Sequence, residues 1–349
     1  MIIQENIPLA PFTTLHIGGP ARFFAEARSE NEVLEAVEFA KASALPLFVL
    51  GGGSNLLIAD SGWPGIVLRV ATSGLNSGVS GSAALFHVGA GHEWDAFVAH
   101  AVSENCAGIE CLSGIPGRVG GTPVQNIGAY GQEVANTIES IRALDTKENR
   151  MLTLSNADCG FRYRSSIFNT TERGRFIILG VNYRLQRGGP PSLKYADLQR
   201  YFADAQIPPA LAAVREVVRQ IRRSKGMLLV EGDPDSRSAG SFFKNPVLTK
   251  HELETLVGRA EARGLKIPAY PALEAQHKVS AAWLVEHSGF SKGFRMGDAA
   301  ISTKHALALV NTGGARASDI VELKDAIQQR VQSEWGVTLE PEPVLVGFQ

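Results

Sequence analysis

Cysteine is scarce in this chain. Cys106, Cys111 and Cys159 are the three among 349 residues, an odd and sparse set that gives no disulfide framework. Cys106 and Cys111 lack a second Cys or His pair, so zinc is not expected, and no metal is assigned. Charge of one sign is missing too. Lys and Arg number 34 and Asp and Glu 35, for a formal net charge of −1. That balance argues against a nucleic-acid or membrane-surface partner held by bulk electrostatics. No apolar run reaches the length that spans a bilayer. The opening Met1-Ile2-Ile3-Gln4-Glu5-Asn6 has no basic stretch followed by an apolar core, so no signal peptide is expected and the reducing cytoplasm is the expected compartment. There is no repeat and no low-complexity segment.

Glycine, in contrast, is plentiful, with 36 residues. Hydrophobic residues at 44% and charged residues at 20% are ordinary for a globular chain. The length exceeds one ordinary core, so two or three domains are expected. The glycines concentrate in Cys111–Gln132, where Gly114, Gly117, Gly120, Gly121, Gly128 and Gly131 fall among 22 residues and Arg118 is the one charge. Glycine permits positive φ and close approach of a ligand to the main chain, and successive backbone N–H groups form anion-binding concavities. Ser113, Thr122, Gln125 and Asn126 add neutral hydrogen-bonding groups. Such a loop suits a large cofactor carrying both a phosphate and an aromatic ring. A plain surface loop is the competing reading, and it rarely carries so many apolar residues and so few charges.

Ser29 and Glu32 form a capping-box pattern ahead of Val33, Leu34, Val37 and Ala40 at helical spacing, and the helix ends near Ser43. Leu47–Leu50 reads as a buried strand that runs into Gly51-Gly52-Gly53-Ser54-Asn55 and then the strand-like Leu56-Leu57-Ile58. A strand opening into a glycine turn is a common place for a phosphate. The Rossmann fingerprint fails here, because it needs Gly-x-Gly-x-x-Gly followed by a helix. A tight hairpin is the alternative. Residues 72–82 read as a loop. Trp94, Phe97, Val98, Ala101 and Val102 mark a helix face. Val214, Val217, Val218 and Ile221 mark another, with Arg222, Arg223 and Lys225 at its C-terminal end, where cations complement the dipole. Residues 231–236 read as a polar hinge. Thr249 and Glu252 cap a helix, Ser280–His287 is a third in this part, and Ser318 is expected to cap a long last helix.

Taken together, several segments resemble the UDP-N-acetylenolpyruvoylglucosamine reductase family. Its carriers are Val49–Leu57, Ile115-Pro116-Gly117 with Gly120-Gly121, Gln125–Gly131, Tyr163–Ser166, Ala239–Pro246 and Glu340-Pro341-Glu342. They span nearly the whole chain in the family's order. The first two also look like the vanillyl-alcohol-oxidase (PCMH) type of FAD domain, which binds FAD without a Rossmann turn. The resemblance implies an α+β fold: FAD-binding subdomains at 1–70 with 336–349 and at 71–224, and a C-terminal α+β substrate domain at 229–330. It implies a monomeric FAD-dependent oxidoreductase in which NADPH is the hydride donor, non-covalent FAD the carrier and an enolpyruvyl sugar nucleotide the substrate. The product would serve peptidoglycan synthesis. By the same resemblance, Leu50, Gly51, Gly52, Gly53, Ser54, Asn55, Leu56, Ser113, Pro116, Gly117, Gly120, Gly121, Gln125, Asn126, Gly128, Ala129 and Tyr130 would hold FAD.

Hydride addition to the β-carbon of a conjugated carboxylate develops an enolate, which needs donors aimed at it and an acid at the α-carbon. Arg164 resembles the family's arginine on the substrate carboxylate, and its planar fork suits that task. Ser241 matches the serine that protonates the carbon. Glu342 matches the glutamate acting with Arg164, and a proton on it would spare the enolate a like charge. Glu340 shares a strand face with Glu342, so spacing does not separate the two. The family's usual Val-Arg after this glutamate is Pro343-Val344 here. Tyr163, Lys225 and Asn245 would bind substrate, as would Tyr195 on the mobile loop found in one family type. Two other readings stay open: a flavin oxidase of the same FAD fold, often with flavin tethered through His or Cys, and an inactive nucleotide-binding module.

Overall fold

The turn after Leu50 is one of the places where the chain passes between two units. In the computed structural model, which describes residues 1–272 and 275–348, one unit comprises Met1–Ile7, Ala21–Gly53 and Trp63–Ser224, and the other Pro8–Pro20, Ser54–Gly62 and Lys225–Gln349.

The first unit holds two large sheets besides a two-stranded hairpin. One orders the strands Ile3–Pro8, Pro20–Ala27, Trp63–Val70 and Leu47–Leu50, with the last two pairings parallel. Helix α1, Glu30–Ala42, buries Val33, Ala36, Val37 and Ala40, and Ser29 accepts the Glu32 amide as its cap. The return bond of the expected capping box is displaced by one residue: Glu32 accepts from the Arg28 amide at 2.6 Å. The larger sheet is antiparallel. Its order is Arg150–Ser155, Ile138–Asp145, Phe176–Arg187, Ala83–Gly89 and Leu75–Ser80, with Cys106–Ala107 also on Phe176–Arg187. The expected loop at 72–82 therefore contains an edge strand. Five of its six residues are exposed, so no alternation marks it, and pairing with Ala83–Gly89 supplies what its side chains do not. Helices α2 (Trp94–Ser103), α3 (Ala196–Tyr201) and α4 (Leu211–Ser224) complete the unit. Trp94, Phe97, Phe86 and Tyr183 form its aromatic centre.

The second unit has a four-stranded antiparallel sheet, Ser238–Ser241, Ala308–Asn311, Ala299–Ile301 and Arg295–Met296, and a smaller three-stranded one. The C-terminal strand Val344–Val346 pairs in parallel with Leu56–Ile58. Helices α5 (Lys250–Glu261), α6 (Ala281–Glu286) and α7 (Ala317–Trp335) pack over a core that includes Phe242, Phe243, Leu57 and Trp335. Thr249 and Glu252 form the reciprocal cap of α5, and Ser280 caps α6. Ser318 does not cap α7. The helix begins at Ala317, so Ser318 lies inside its first turn, and Asp60 accepts the Ala317 and Ser318 amides at 2.8 and 3.1 Å. A carboxylate from a distant part of the chain answers the exposed N–H groups that a local serine was expected to meet.

Candidate functional site

Two glycine loops of the first unit meet backbone to backbone. A Cβ on Gly52 would lie 2.5 Å from Gly117 Cα, and one on Gly120 would lie 2.6 Å from Ala90 Cβ. Their neighbours Gly51 and Gly121 have nothing within 4 Å of a built Cβ. So one glycine of each pair is pressed against protein and its neighbour has open space at its Cβ position, the form of a cradle for a ligand that approaches the main chain. The loop is braced from behind. Trp94 N–H donates to Gly117 O at 3.0 Å, Val119 N–H to His92 O at 2.9 Å and Gly120 N–H to Ala90 O at 2.8 Å. Ser113 is buried and donates to Glu110 O at 2.6 Å. Asn126, also buried, donates to Glu133 Oε2 at 2.9 Å and Arg162 O at 3.0 Å and accepts from the Ala135 amide at 3.1 Å. Both side chains thus shape the loop.

The loop ends in a hairpin. Gly128-Ala129 pairs with Gln132-Glu133, and Tyr130 and Gly131 at its tip take φ of +49° and +84°, the primed turn that suits a two-residue hairpin. Holding Tyr130 left-handed costs free energy, and it turns the ring edge-on to Tyr195, centroids 5.2 Å apart. Tyr195 stands at the N-terminal end of α3 and is 41% exposed. A second tight turn, closed by the Arg162 and Ser165 amides and carbonyls at 2.9 and 3.1 Å, presents Tyr163 and Arg164, the latter at φ +52°. The Arg164 guanidinium donates to Gly128 O at 2.7 Å and lies 5.5 Å from the Tyr163 ring centre. Arg164 is thereby fixed to the flank of the glycine loop.

Sequence reasoning missed the support beneath. Asp95 on α2 accepts the Gly114 amide at 2.6 Å, takes Arg215 of α4 at 2.6 and 3.0 Å and pairs with Arg219 as well. The two guanidiniums and the amide hold its carboxyl below the usual range against the opposing effect of burial. Its partners lie 120 and 124 positions away, so no local pattern could reveal it. Further along α4, Arg222 sits by the Tyr130 hydroxyl, and burial pulls its pKa down.

The second unit carries Ser54, Asn55, Leu56, Lys225, Ser241, Asn245 and Glu342. Ser241 ends a strand and is followed by the fully buried anchors Phe242 and Phe243. The segment runs antiparallel to Glu340–Glu342, with Phe243 bridged to Pro341. Glu342 N–H donates to Phe242 O, and Lys244 N–H donates to Glu340 O, each at 2.9 Å. Asn55 Nδ2 donates to Glu342 O at 3.2 Å, and Val344 N–H to Asn55 O at 3.0 Å. Pro341 and Pro343 have no N–H to place, and the donors that follow them both find carbonyls. Glu340 differs: its side chain is 73% exposed and pairs with Lys244 at 3.4 Å. Asn245 Oδ1 accepts the Ala281 amide at 2.9 Å, at the start of α6. Lys225 lies by His305, whose pKa falls to about 4 through burial and the charges of Lys225 and Lys292. His305 Nδ1 accepts from the Leu307 amide at 3.0 Å, so the neutral ring has its tautomer set.

Residues 231–236, expected as a hinge, contain buried Asp235, which accepts Thr303 N–H and Oγ1–H at 2.9 and 2.7 Å. Among the described residues no group of three or more His, Cys, Asp or Glu is placed to hold a metal ion, and no helix is long and apolar enough to cross a membrane.

The sequence is similar to two protein families. Residues 21–155 match the FAD binding domain, and residues 233–346 match the UDP-N-acetylenolpyruvoylglucosamine reductase C-terminal domain. UDP-N-acetylenolpyruvoylglucosamine reductase of Thermobifida fusca is 45% identical over 98% of both chains, and that of Streptomyces avermitilis 44% over 99% of this chain and 96% of the relative. The crystal structure of the Thermus caldophilus reductase covers 99% of this chain and 100% of its own with a TM-score of 0.68 at 27% identity. The α+β FAD-binding fold expected from the motifs is the fold found, and the chain belongs to the UDP-N-acetylenolpyruvoylglucosamine reductase family.

Proposed function

We propose that this chain reduces UDP-N-acetylglucosamine enolpyruvate to UDP-N-acetylmuramate in peptidoglycan precursor synthesis. The observation that carries the reading is the bond from Glu342 N–H to the carbonyl of Phe242, the residue after Ser241, inside a C-terminal domain of the reductase type. The open-faced glycine pair and the neutral, close-packed loop fit FAD, which when bound would take hydride from NADPH and deliver it to the enolpyruvyl double bond.

The residues have separable tasks. Leu50–Leu56 and the loop residues from Ser113 to Tyr130 shape and line the flavin cradle. Arg164, held by Gly128 O, presents donors to the substrate carboxylate as enolate charge grows, an effect of the oxyanion-hole kind. Ser241 gives its hydroxyl proton to the α-carbon. A neutral alcohol is a weak acid, but a carbanion-like centre is basic enough to take its proton. Glu342, protonated when hydride arrives, donates a hydrogen bond to the enolate. The exposed pairing of Glu340 with Lys244 favours Glu342 over Glu340 for this role. Tyr163, Tyr195, Lys225 and Asn245 hold the sugar nucleotide, with Lys225 supplying the cation for its diphosphate. Residues 1–70 with 336–349 and 71–224 serve the flavin, and 229–330 the substrate. The protein acts as a monomer in the cytoplasm.

The oxidase reading is disfavoured by Cys111. It is fully buried, its thiol donates to Ser192 O at 3.3 Å, and burial drives its pKa far up, so it is a poor nucleophile for a covalent tether. The test is anaerobic turnover. Purified protein with FAD, NADPH and the enolpyruvyl sugar nucleotide must consume NADPH and form UDP-N-acetylmuramate in equal amounts. Consumption of NADPH that requires oxygen instead would overturn the reading.

A further inference from the structure

Ser192 opens the segment that carries Tyr195, and two adjacent residues grip its backbone. Its N–H donates to Glu110 Oε1 at 2.8 Å, and its carbonyl accepts from the Cys111 thiol at 3.3 Å. Glu110 is 0% exposed. Its carboxylate also receives the Gly108 amide at 2.8 Å and Gln132 Nε2 at 2.8 Å. Gln132 Oε1 in turn accepts the Cys111 amide at 2.8 Å. Three stretches of chain therefore converge on one buried carboxylate: the lead into the glycine loop, the far side of its hairpin, and the base of the Tyr195 segment. Two more contacts continue the line. A Cβ on Gly131 would come 3.1 Å from Lys194 Cβ, and Tyr130 meets Tyr195 edge-on.

Burying a carboxylate costs free energy unless its oxygens are met by donors. An apolar side chain of similar size would fill the space at no such cost. The carboxylate adds geometry: all three N–H donors must arrive together, which fixes one register for three segments. Neither the flavin cradle nor the hydride chemistry uses Glu110 directly.

We propose that Glu110 is a positioning residue for Tyr195. Through Gln132 and Ser192 it sets where the tyrosine segment stands against the flavin loop, and so sets affinity for the sugar nucleotide. The proposal rests on the reading of Tyr195 as a substrate-binding residue.

Glu110→Gln keeps the shape but turns an NH₂ group towards N–H donors. It is expected to raise KM for the enolpyruvyl sugar nucleotide about tenfold, the scale of loss from a displaced binding group. FAD content and the rate of flavin reduction by NADPH should stay within about twofold of the parent by the same reasoning. Tyr195→Ala is expected to raise the same KM by itself, and Glu110→Gln should then add nothing in that background. A full additive effect would overturn the proposal. A Tyr195→Ala variant with unchanged KM would overturn it too, together with the Tyr195 assignment, while wild-type turnover would still uphold the reductase reading. Should Glu110→Gln fail to fold, hydrogen exchange on wild-type holoenzyme decides: the Ser192 amide must exchange at least about tenfold more slowly than that of Lys194. Equal exchange would overturn the proposal.

Discussion

Glu342 and Glu340 are two residues apart in one sequence motif and differ in surroundings. Glu342 has its backbone gripped by Phe242 and Asn55, whereas Glu340 leans into solvent towards Lys244. Glu342→Gln is therefore expected to slow flavin reoxidation by substrate about 10²–10³-fold, the scale for losing one aimed donor, and to spare flavin reduction by NADPH. Glu340→Gln should change neither rate much. Single-turnover absorbance of the flavin distinguishes the two. His305 gives a prediction in pH. In the unfolded chain it titrates near 6.5, but in the fold only near 4. Its folded pKa is depressed, so the unfolded state binds the extra proton between those values and stability falls as pH drops from about 6.5 towards 4. The contribution is at most about 3 kcal/mol at 1.36 kcal/mol per pK unit. Urea unfolding across that range should show the slope, and His305→Gln should flatten it.

At the scale of elements, the sequence was most readable where periodicity and caps are local. The helices α1, α4 and α5 are marked by apolar spacing, and Ser29 and Thr249 cap helices as expected, while Ser280, expected as the first helical residue, is itself a cap. The glycine loop was legible because positive φ and close approach leave few choices of residue. Two things were not legible. The Leu75–Ser80 strand is stabilised by its neighbour's backbone, so its own side chains carry no signal. The caps and braces made by Asp60, Asp95 and Glu110 join residues far apart in the chain. Asp60→Ala should therefore cost about 1–2 kcal/mol, the value of a helix cap, although Asp60 looks like an ordinary turn residue. Chemical denaturation measures it. Asp95→Ala removes the bond to the Gly114 amide and leaves Arg215 and Arg219 without their shared carboxylate. Flavin affinity should fall at least about tenfold, as an unpaired buried group costs 1–3 kcal/mol, and titration of apoprotein with FAD reads it directly.

Across the whole molecule, the candidate residues are divided between the two units. Gly51–Gly53, the loop from Ser113 to Tyr130, Arg164 and Tyr195 belong to one, and Ser54, Asn55, Leu56, Ser241, Glu342, Lys225 and Asn245 to the other. The order of motifs along the chain gave the family, but not this division, because the N-terminal segment Pro8–Pro20 and the Ser54–Gly62 excursion fold with the C-terminal part. The three cysteines are all buried, and burial raises the thiol pKa of Cys159 to about 12. The folded protein should therefore resist thiol reagents, and FAD should leave it on denaturation without a covalent remnant. In the proposed reaction one flavin takes hydride from NADPH and returns it to the enolpyruvyl sugar nucleotide. It is tested most directly by rapid anaerobic mixing with NADPH, followed by the sugar nucleotide, while the oxidised flavin band is observed. Bleaching is expected, and then full return of the band on adding the sugar nucleotide. A bleached flavin that stays reduced until oxygen is admitted would contradict it.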